Sequence, residues 1–292
     1  MFPRINLKFL TLTALLANSV VADKAKIYRN CLKPGQFVLT FDDGPNPETT
    51  PIALDVLKKY NIKGTFFINA HNWSDLENDP SAVETVKKTY AAGHDIGSHT
   101  YNHKDLFEAI EEGSMKENVD DMTDKIEEII GVKPAYFRPP CGNGAYVERD
   151  PHKKEMSEMI QEYLGERGYN IIIFITLMHD VYPSTVNIVL PTVIEYVQSL
   201  GYNFVPLSEC IGVSPYQSTS NDEGNQNNLN NGEINNNSNE NNKNNSTIIS
   251  NNANNNSSTI SINKEAENTS NAITLHSSII LSIAIAILSL LF

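Results

Sequence analysis

The stretch "LTFDDGPN", residues 39–46, sets two adjacent carboxylates, Asp42 and Asp43, between an apolar run and a Gly-Pro turn. Neighbouring side chains of a strand point to opposite faces, so one carboxylate can bind a metal ion while the other faces a substrate. As a turn alone, Asp-Asp-Gly-Pro is unremarkable, because these residue types are common in turns. The choice between a turn and a catalytic pair depends on the segments around the stretch.

Segments typical of strands and helices alternate along the chain from this stretch outward. The sequence predicts strands at 36–41, 65–68, 95–98, 135–138, 171–178 and 203–207. It predicts helices at 50–60, 82–91, 106–130, 154–167 and 186–200. Such alternation favours a mostly parallel sheet covered by helices. About six strands are fewer than the about eight of a closed barrel, so we predict an α/β fold, a distorted or incomplete (β/α) barrel with parallel strands.

Two histidines in "SHTYNH", His99 and His103, follow the predicted strand at 95–98. Functional residues of parallel α/β folds gather at the carboxyl ends of strands, and a spacing of four residues puts two imidazoles on one face of a helix. A chance pair of surface histidines is the alternative. With Asp43 they would form a two-His, one-carboxylate site with open positions, for which we expect a divalent ion, Zn²⁺ or Co²⁺.

Three more side chains are candidates for a site. Arg138 opens "RPPCGNG" at a strand end, where a guanidinium can hold a carboxylate bidentately or form a purely structural salt bridge. His179 in "ITLMHD" ends an apolar strand, where it could be a general acid or an ordinary strand-end histidine. Trp73, the only tryptophan, could stack on a sugar face or pack within a loop.

Three cysteines are present, Cys31, Cys141 and Cys210. In an oxidising compartment two of them should pair. Cys31 precedes the first predicted strand and Cys210 ends the folded region. We therefore predict a Cys31–Cys210 bridge that ties the two ends of the domain together and leaves Cys141 as the odd thiol.

The two ends of the chain differ in composition from the predicted domain at 25–216. Residues 1–22 have the pattern of a cleaved signal peptide, and an anchor helix is the weaker alternative because the apolar stretch is too short to span a bilayer. Residues 217–271 are rich in Asn and Ser with N-x-S/T sites, which predicts a disordered, glycosylated linker. Residues 272–292 predict a GPI-anchor signal, with a C-terminal membrane helix as the alternative. We thus expect a secreted protein, held at the cell surface or cell wall by a lipid anchor.

Four motifs, T-F-D-D-G-P, S-H-T-x-x-H, R-P-P and L-M-H-D, occur in this order and all follow predicted strands. From about Cys31 to Cys210 the chain resembles the polysaccharide deacetylase family, the NodB-homology group or carbohydrate esterase family 4. Within that family it resembles the fungal GPI-anchored chitin deacetylases. The resemblance implies a NodB-like fold and a hydrolase that removes N-acetyl groups from chitin or another acetylated polysaccharide.

The resemblance also implies roles for the candidate residues. Asp43, His99 and His103 resemble the metal ligands of the family. Asp42 resembles the general base, and Arg138 resembles the residue that holds it.

The remaining implied roles concern the leaving group and the acetyl group. His179 resembles the general acid that protonates the departing amine. The backbone N–H of Cys141, which stands where the family usually has an aromatic residue, would help bind the oxyanion. Leu177 resembles the wall of the pocket for the acetyl methyl group.

The chain departs from the family before Phe174. The family has another segment there, with an Asp at a strand end that orients the acid histidine, whereas "GYNIII" here runs straight into "FITLMHD". Residues 171–178 are apolar except for Thr176, so we predict one buried strand. Asp180 is a poor substitute for the absent Asp, because neighbours on a strand point apart. We expect a chain that binds metal, has little or no amidase activity and is less stable than a full-length relative.

Two other functions stay open from the sequence. The same residues could cleave the O-acetyl esters of acetylxylan, or the chain could be a wall carbohydrate-binding protein that has lost catalysis. The formal net charge of -13 argues against nucleic acid as a partner. We expect a monomer that acts on a polysaccharide.

Overall fold

The computed structural model describes residues 23–173 and 175–218. The predicted signal peptide at 1–22 and the predicted GPI signal at 272–292 lie outside these residues, as does all but the start of the predicted linker at 217–271. Across the described ranges, no helix combines the length and apolar character needed to cross a membrane.

Nine short strands alternate with seven α-helices in the part of the chain that the structure describes. The strands are β1 (Ile27–Tyr28), β2 (Gln36–Phe37), β3 (Thr40–Asp42), β4 (Thr65–Ile68), β5 (Asp95–Ser98), β6 (Tyr136–Phe137), β7 (Asn170–Ile172), β8 (Met178–His179) and β9 (Asn203–Phe204). The helices are α1 (Thr50–Tyr60), α2 (Pro80–Ala91), α3 (Leu106–Glu112), α4 (Met115–Ile130), α5 (Pro151–Glu166), α6 (Leu190–Ser199) and α7 (Leu207–Ile211).

Seven of the strands form one sheet in the order β1-β7-β6-β5-β4-β3-β8, with every pairing parallel. Only residues 173–177 connect β7 to β8, five strand positions away. Six Cα steps reach about 21 Å, whereas five strand spacings on a flat sheet span about 24 Å. The sheet therefore has to curl, and it forms a half-barrel, which confirms the predicted incomplete (β/α) barrel with parallel strands.

The single strand predicted at 171–178 is wrong. The structure ends β7 at Ile172 and begins β8 at Met178, near opposite edges of the sheet. Apolar runs carry no periodicity that separates one long buried strand from two short ones. We call residues 173–177 the crossing segment.

Hydrogen bonds to Thr40 of β3 and to Val38 hold the crossing segment in place. The Thr40 hydroxyl donates to the carbonyl oxygen of Ile175 at 3.1 Å and to that of Thr176, whose own hydroxyl donates to the Val38 carbonyl oxygen. Backbone groups buried without water need such partners. The crossing segment is thus tied to the strand that carries Asp42.

Two other predicted elements are divided in the structure. The strand at 36–41 becomes β2 and β3, and β2 pairs with β9 in a separate two-stranded sheet. The helix at 106–130 becomes α3 and α4, because Gly113 adopts a left-handed conformation with φ 73° and ends α3. Helical periodicity continues across such a break, so the pattern alone did not reveal it.

A disulfide joins Cys31 to Cys210, the pair predicted from the sequence, across 179 positions of the chain. Cys210 is buried in α7, while Cys141 is a free, exposed thiol. Closing so long a loop restricts the unfolded chain and stabilises the fold by about 5 kcal/mol in the chain-entropy model. The bridge ties the amino-terminal part of the domain to its carboxyl-terminal helix.

Candidate active site

The carboxyl ends of β3 and β5 bring the first candidate residues together. Asp42 is the last residue of β3, and His99 follows β5, with only β4 between these two strands. Asp43 leaves the strand in a left-handed conformation with φ 74°. Strand alternation therefore does not set the direction of Asp43, and both carboxylates lie near His99, with Asp42 Oδ2 at 3.8 Å and Asp43 Oδ1 at 3.5 Å from its Nε2.

One carboxylate and two imidazoles converge on a common point. Asp43 Oδ1 lies 3.3 Å from Nε2 of His103 and 3.5 Å from Nε2 of His99. One possible ligand atom from each of the three residues lies within 4.8 Å of the others. Two nitrogens and one oxygen that share so small a space match the donors that bind Zn²⁺ and similar divalent ions.

The surroundings of these atoms fit a metal ion. Asp43 Oδ1 is buried and, within the described residues, has no hydrogen-bond partner. His99 Nδ1 lies 2.5 Å from the carbonyl oxygen of Arg138, so Nδ1 carries the proton and Nε2 offers its lone pair to the cluster. Burial lowers the pKa of His99 and keeps its imidazole in the neutral, ligating form.

The helical spacing expected for the two histidines is wrong. His99 and His103 lie in the loop between β5 and α3, and the loop turns through left-handed conformations at Thr100 (φ 70°) and His103 (φ 53°). Five described residues other than glycine have positive φ, and four of them belong to the site segments: Asp43, Thr100, His103 and Cys141. Strained backbone of this kind persists where function requires an unusual geometry.

Arg138 holds Asp42 as the resemblance implies, and it makes further contacts. Its Nη1 donates to Asp42 Oδ1 at 2.7 Å and to the Thr40 hydroxyl at 2.8 Å. Its Nε and Nη2 donate, each at 3.2 Å, to the carbonyl oxygens of Ile172 and Ile175. Both charged groups are almost fully buried, so these bonds replace the water that each has lost. Arg138 thus joins the Asp42 carboxylate of β3 to the crossing segment.

His179 reaches the same cavity from the other side. Backbone pairing sets it opposite Asp42, and its Nε2 lies 3.8 Å from Asp43 Oδ2. The next side chain, Asp180, turns away as predicted and receives a hydrogen bond from the Thr50 hydroxyl. Burial raises the pKa of Asp180 to about 7.

Asp42, His99, His103, Arg138 and His179 line a cavity of about 330 Å³. Leu177 and Cys141 line it, as do Ile173, Ile175 and Tyr146, which sequence reasoning missed. The isoleucines belong to an apolar run that indicates a buried strand, and only the crossing path turns them toward the cavity. No pattern in the sequence signals their position.

Trp73 lies near the cavity with its side chain 47% exposed. Its ring meets the edge of Tyr182 at 5.1 Å between centroids, and Tyr182 lies 6.1 Å from the His179 ring. The Ser74 hydroxyl donates to the Pro45 carbonyl oxygen at 2.6 Å and ties this loop to the turn after Asp43. Exposed aromatic rings therefore border the site on one side.

Comparisons with known proteins agree with this architecture. A sequence model described as "Polysaccharide deacetylase" matches residues 29–162. The chain is 32% identical over 212 residues to a chitin deacetylase of Colletotrichum lindemuthianum, covering 63% of this chain and 83% of the relative. It is 31% identical over 211 residues to a chitin deacetylase of Arthroderma benhamiae, covering 64% of this chain and 54% of that longer protein.

Solved structures agree on the fold. A peptidoglycan N-acetylglucosamine deacetylase aligns with a TM-score of 0.54 at 23% identity, covering 66% of this chain and 96% of that structure. A family 4 carbohydrate esterase of Bacillus subtilis aligns with a TM-score of 0.51 at 24% identity, covering 63% and 84%. At these identities the likeness concerns the fold, and the sequence relatives carry the assignment. The chain belongs to the polysaccharide deacetylase family, the NodB-homology enzymes of carbohydrate esterase family 4.

Proposed function

We propose that this chain is a metal-dependent deacetylase that removes acetyl groups from the N-acetylglucosamine units of chitin. One observation carries the proposal: the possible ligand atoms of Asp43, His99 and His103 lie close together, and both histidines line the cavity that Asp42 and His179 also line. The two relatives described as chitin deacetylases support chitin as the substrate. Zn²⁺ or Co²⁺ suits the two nitrogens and one oxygen.

The bound ion would polarise the acetyl carbonyl and make a water molecule acidic enough to attack it. Asp42 takes the proton from that water. Its Oδ1 is occupied by Arg138 at 2.7 Å, which leaves Oδ2 to accept the proton. Holding the base by a buried guanidinium fixes its position.

The other side of the cavity stabilises the developing charge and releases the product. The backbone N–H of Cys141 donates to the oxyanion formed when water attacks the carbonyl. His179 Nε2 donates a proton to the departing amine, since an unprotonated amide nitrogen is a poor leaving group. Leu177, 61% exposed at the cavity, contacts the acetyl methyl group. The products are a glucosamine unit and acetate.

We also propose that the absence of the family segment before Phe174 slows amide cleavage. Within the described residues the one carboxylate paired with His179 is Asp43, at 3.8 Å, and Asp43 is needed by the metal. A histidine without its own carboxylate is oriented less well. Esters should be affected less, because an alkoxide leaves more easily than an amide anion.

Two other functions and the cellular location remain open to test. Cleavage of acetylxylan esters would use the same residues, and a non-catalytic wall-binding protein would use the exposed rings near Trp73. We propose a secreted monomer that is anchored by GPI at the cell surface. Release of the protein from intact cells by a phosphatidylinositol-specific phospholipase tests the anchor.

Acetate release by the purified protein separates the three functions. The substrates are N-acetylglucosamine hexamer and acetylated xylan, each assayed after chelation and after restoration of Zn²⁺ or Co²⁺. Ion-dependent release from the hexamer supports the proposal, and release from xylan alone favours the esterase. If neither substrate releases acetate while the hexamer still binds, the chain is a binding protein.

Restoration of the absent segment tests the proposed effect on the amide. A family-like segment is inserted after Ile173, and both proteins are assayed on the hexamer. We expect the inserted protein to be faster. Equal rates would show that the crossing segment does not limit amide cleavage.

A further inference from the structure

A buried carboxyl group that the proposed mechanism does not use follows His179 directly. Asp180 is 1% exposed and lies on the side of the chain away from the cavity. It accepts a hydrogen bond at Oδ2 from the hydroxyl of Thr50, the first residue of α1. Burial of a carboxyl group is unfavourable unless its contacts compensate, so its position calls for an explanation.

The contacts of Asp180 lead to the turn that carries Asp43. The Thr50 hydroxyl also accepts a hydrogen bond from the Asn46 backbone N–H at 2.9 Å, and the Asn46 side-chain amide donates to the Val181 carbonyl oxygen at 3.2 Å. A Cβ atom at Gly44 would lie 2.9 Å from Asp180 Oδ1, closer than real contacts allow. Glycine thus lets the turn pack directly against the carboxyl group.

Backbone pairing constrains the position of His179 only weakly. β8 has two residues, and it pairs with β3 alone, through Met178 with Phe41 and His179 with Asp42. So short a pairing at the edge of a sheet constrains a side chain weakly. The Asp180–Thr50 bond is one of two side-chain links between the segment at 179–182 and the turn at 43–50, and Asn46 makes the other.

We propose that Asp180 is a positioning residue for His179. It acts through Thr50 and Gly44 to set the distance between the His179 imidazole and the Asp42–Asp43 pair. This inference rests on the proposed role of His179 as general acid. A displacement of about 1 Å in a catalytic group can lower a rate about 100-fold, so a buried link at this point has a large effect on turnover.

The test compares amide and activated-ester substrates in the full chain. p-Nitrophenyl acetate has a leaving group that needs no proton, so its hydrolysis bypasses His179. For Asp180→Ala we expect the turnover number on the N-acetylglucosamine hexamer to fall about 100-fold, with KM and ester hydrolysis nearly unchanged. Thr50→Val, which keeps the side-chain shape, should lower the amide rate about 10-fold. Asp180→Asn, which can still accept the hydrogen bond from Thr50, should retain most of the amide rate.

A control exists at the amino-terminal ends of the strands. Asp95 begins β5 and is a partly buried carboxyl group, and it receives a bond from the Thr65 hydroxyl at 3.5 Å. Asp95→Ala and Thr65→Val remove a comparable pair far from His179. They should alter thermal stability without changing the ratio of amide to ester rates.

A second readout is independent of turnover. The chain has seven histidines, so the imidazole ¹⁵N resonances of the metal-free protein can be assigned individually. The His179 signals should shift in Asp180→Ala and Thr50→Val and stay unchanged in the Asp95 and Thr65 variants. If the parent cleaves no hexamer, the proposed function fails while this measurement still tests the positioning.

If Asp180→Ala lowers amide and ester rates by the same factor and leaves the His179 resonances in place, Asp180 only stabilises the fold. If Asp180→Ala does not fold, Thr50→Val and Asp180→Asn decide by the same two readouts.

Discussion

The two sides of the cavity are held in place by different means. One side, which we call the cluster side, carries Asp43, His99 and His103. There the side chains of Arg138 and His99 are about 5% exposed, and buried hydrogen bonds join Asp42 to Arg138 and Arg138 to His99. On the His179 side, the imidazole is 35% exposed and belongs to a two-residue strand, and the next residue, Asp180, bonds to Thr50. A buried network resists movement, because each bond would have to break without water to replace it.

The difference predicts that substitutions on the two sides have different consequences. Changes on the cluster side should lower stability and metal affinity, since they leave buried polar groups without partners. Changes on the His179 side should lower the rate of amide cleavage while the fold survives.

Removal of the Arg138 guanidinium should have the largest effect. Arg138→Met leaves the buried Asp42 carboxylate unpaired, so we expect the free energy of unfolding to fall by about 3–5 kcal/mol in urea denaturation. The control is Arg167→Met, which breaks the pair with Asp120, and it should cost less because these side chains are 29% and 25% exposed and water can partly replace the lost partner. Equal losses in the two variants would contradict a special role for the buried network.

A fall in pH should lower the stability of the protein through His94, which does not line the cavity. Burial lowers the pKa of His94 to about 4 from 6.5, so the unfolded chain binds a proton between pH 6.5 and 4 that the folded chain does not. The folded state therefore loses about 3 kcal/mol of stability as the pH falls through this range. In His94→Gln this loss should disappear.

The measurement is the difference in unfolding free energy between His94→Gln and the parent, taken from pH 4 to 7. The difference is needed because burial raises the pKa of Asp95 to about 6, which gives a slope of opposite sign. His152→Gln, a substitution on the surface, is the control. A parent and variant with parallel curves would show that another group causes the loss.

His103→Ala should separate metal binding from folding. The imidazole is 40% exposed, so the fold should survive its removal. Metal affinity should fall by more than about 100-fold, the most that loss of an outer-shell partner usually costs. Calorimetric titration with Zn²⁺ or Co²⁺ measures it, with His71→Ala, outside the cluster, as the control. Unchanged affinity in His103→Ala would remove it from the ligand set.

Thr176→Val should have the smallest effect, and it tests the crossing segment. The substitution removes the hydrogen bond to the Val38 carbonyl oxygen and should lower the free energy of unfolding by about 1 kcal/mol. Thr192→Val removes an exposed bond from α6 to the carbonyl oxygen of Ile188, just before the helix, and should change stability by only a few tenths of that. A larger loss in Thr176→Val would show that the crossing segment is held as rigidly as the cluster side.

Much of the site could be predicted because its chemistry is local. Asp42 and Asp43 end one strand, His99 follows another, and parallel strands present their carboxyl ends at one edge of the sheet. The cysteine pair followed from its position at the two ends of the domain. The geometry of the histidines could not be predicted, because the left-handed turns at Thr100 and His103 depend on the loop that contains them.

The fold class, the order of the motifs and the residue types at the carboxyl ends of the strands could be inferred from the amino-acid sequence. The division of residues 171–178, the groups that bind Arg138 and the place of Asp180 became known from the folded chain. The physical reason is that an apolar run reports only which side chains avoid water. The partner of each strand depends instead on the curl of the sheet and on hydrogen bonds between residues far apart in the chain, such as those of Thr40 and Thr50.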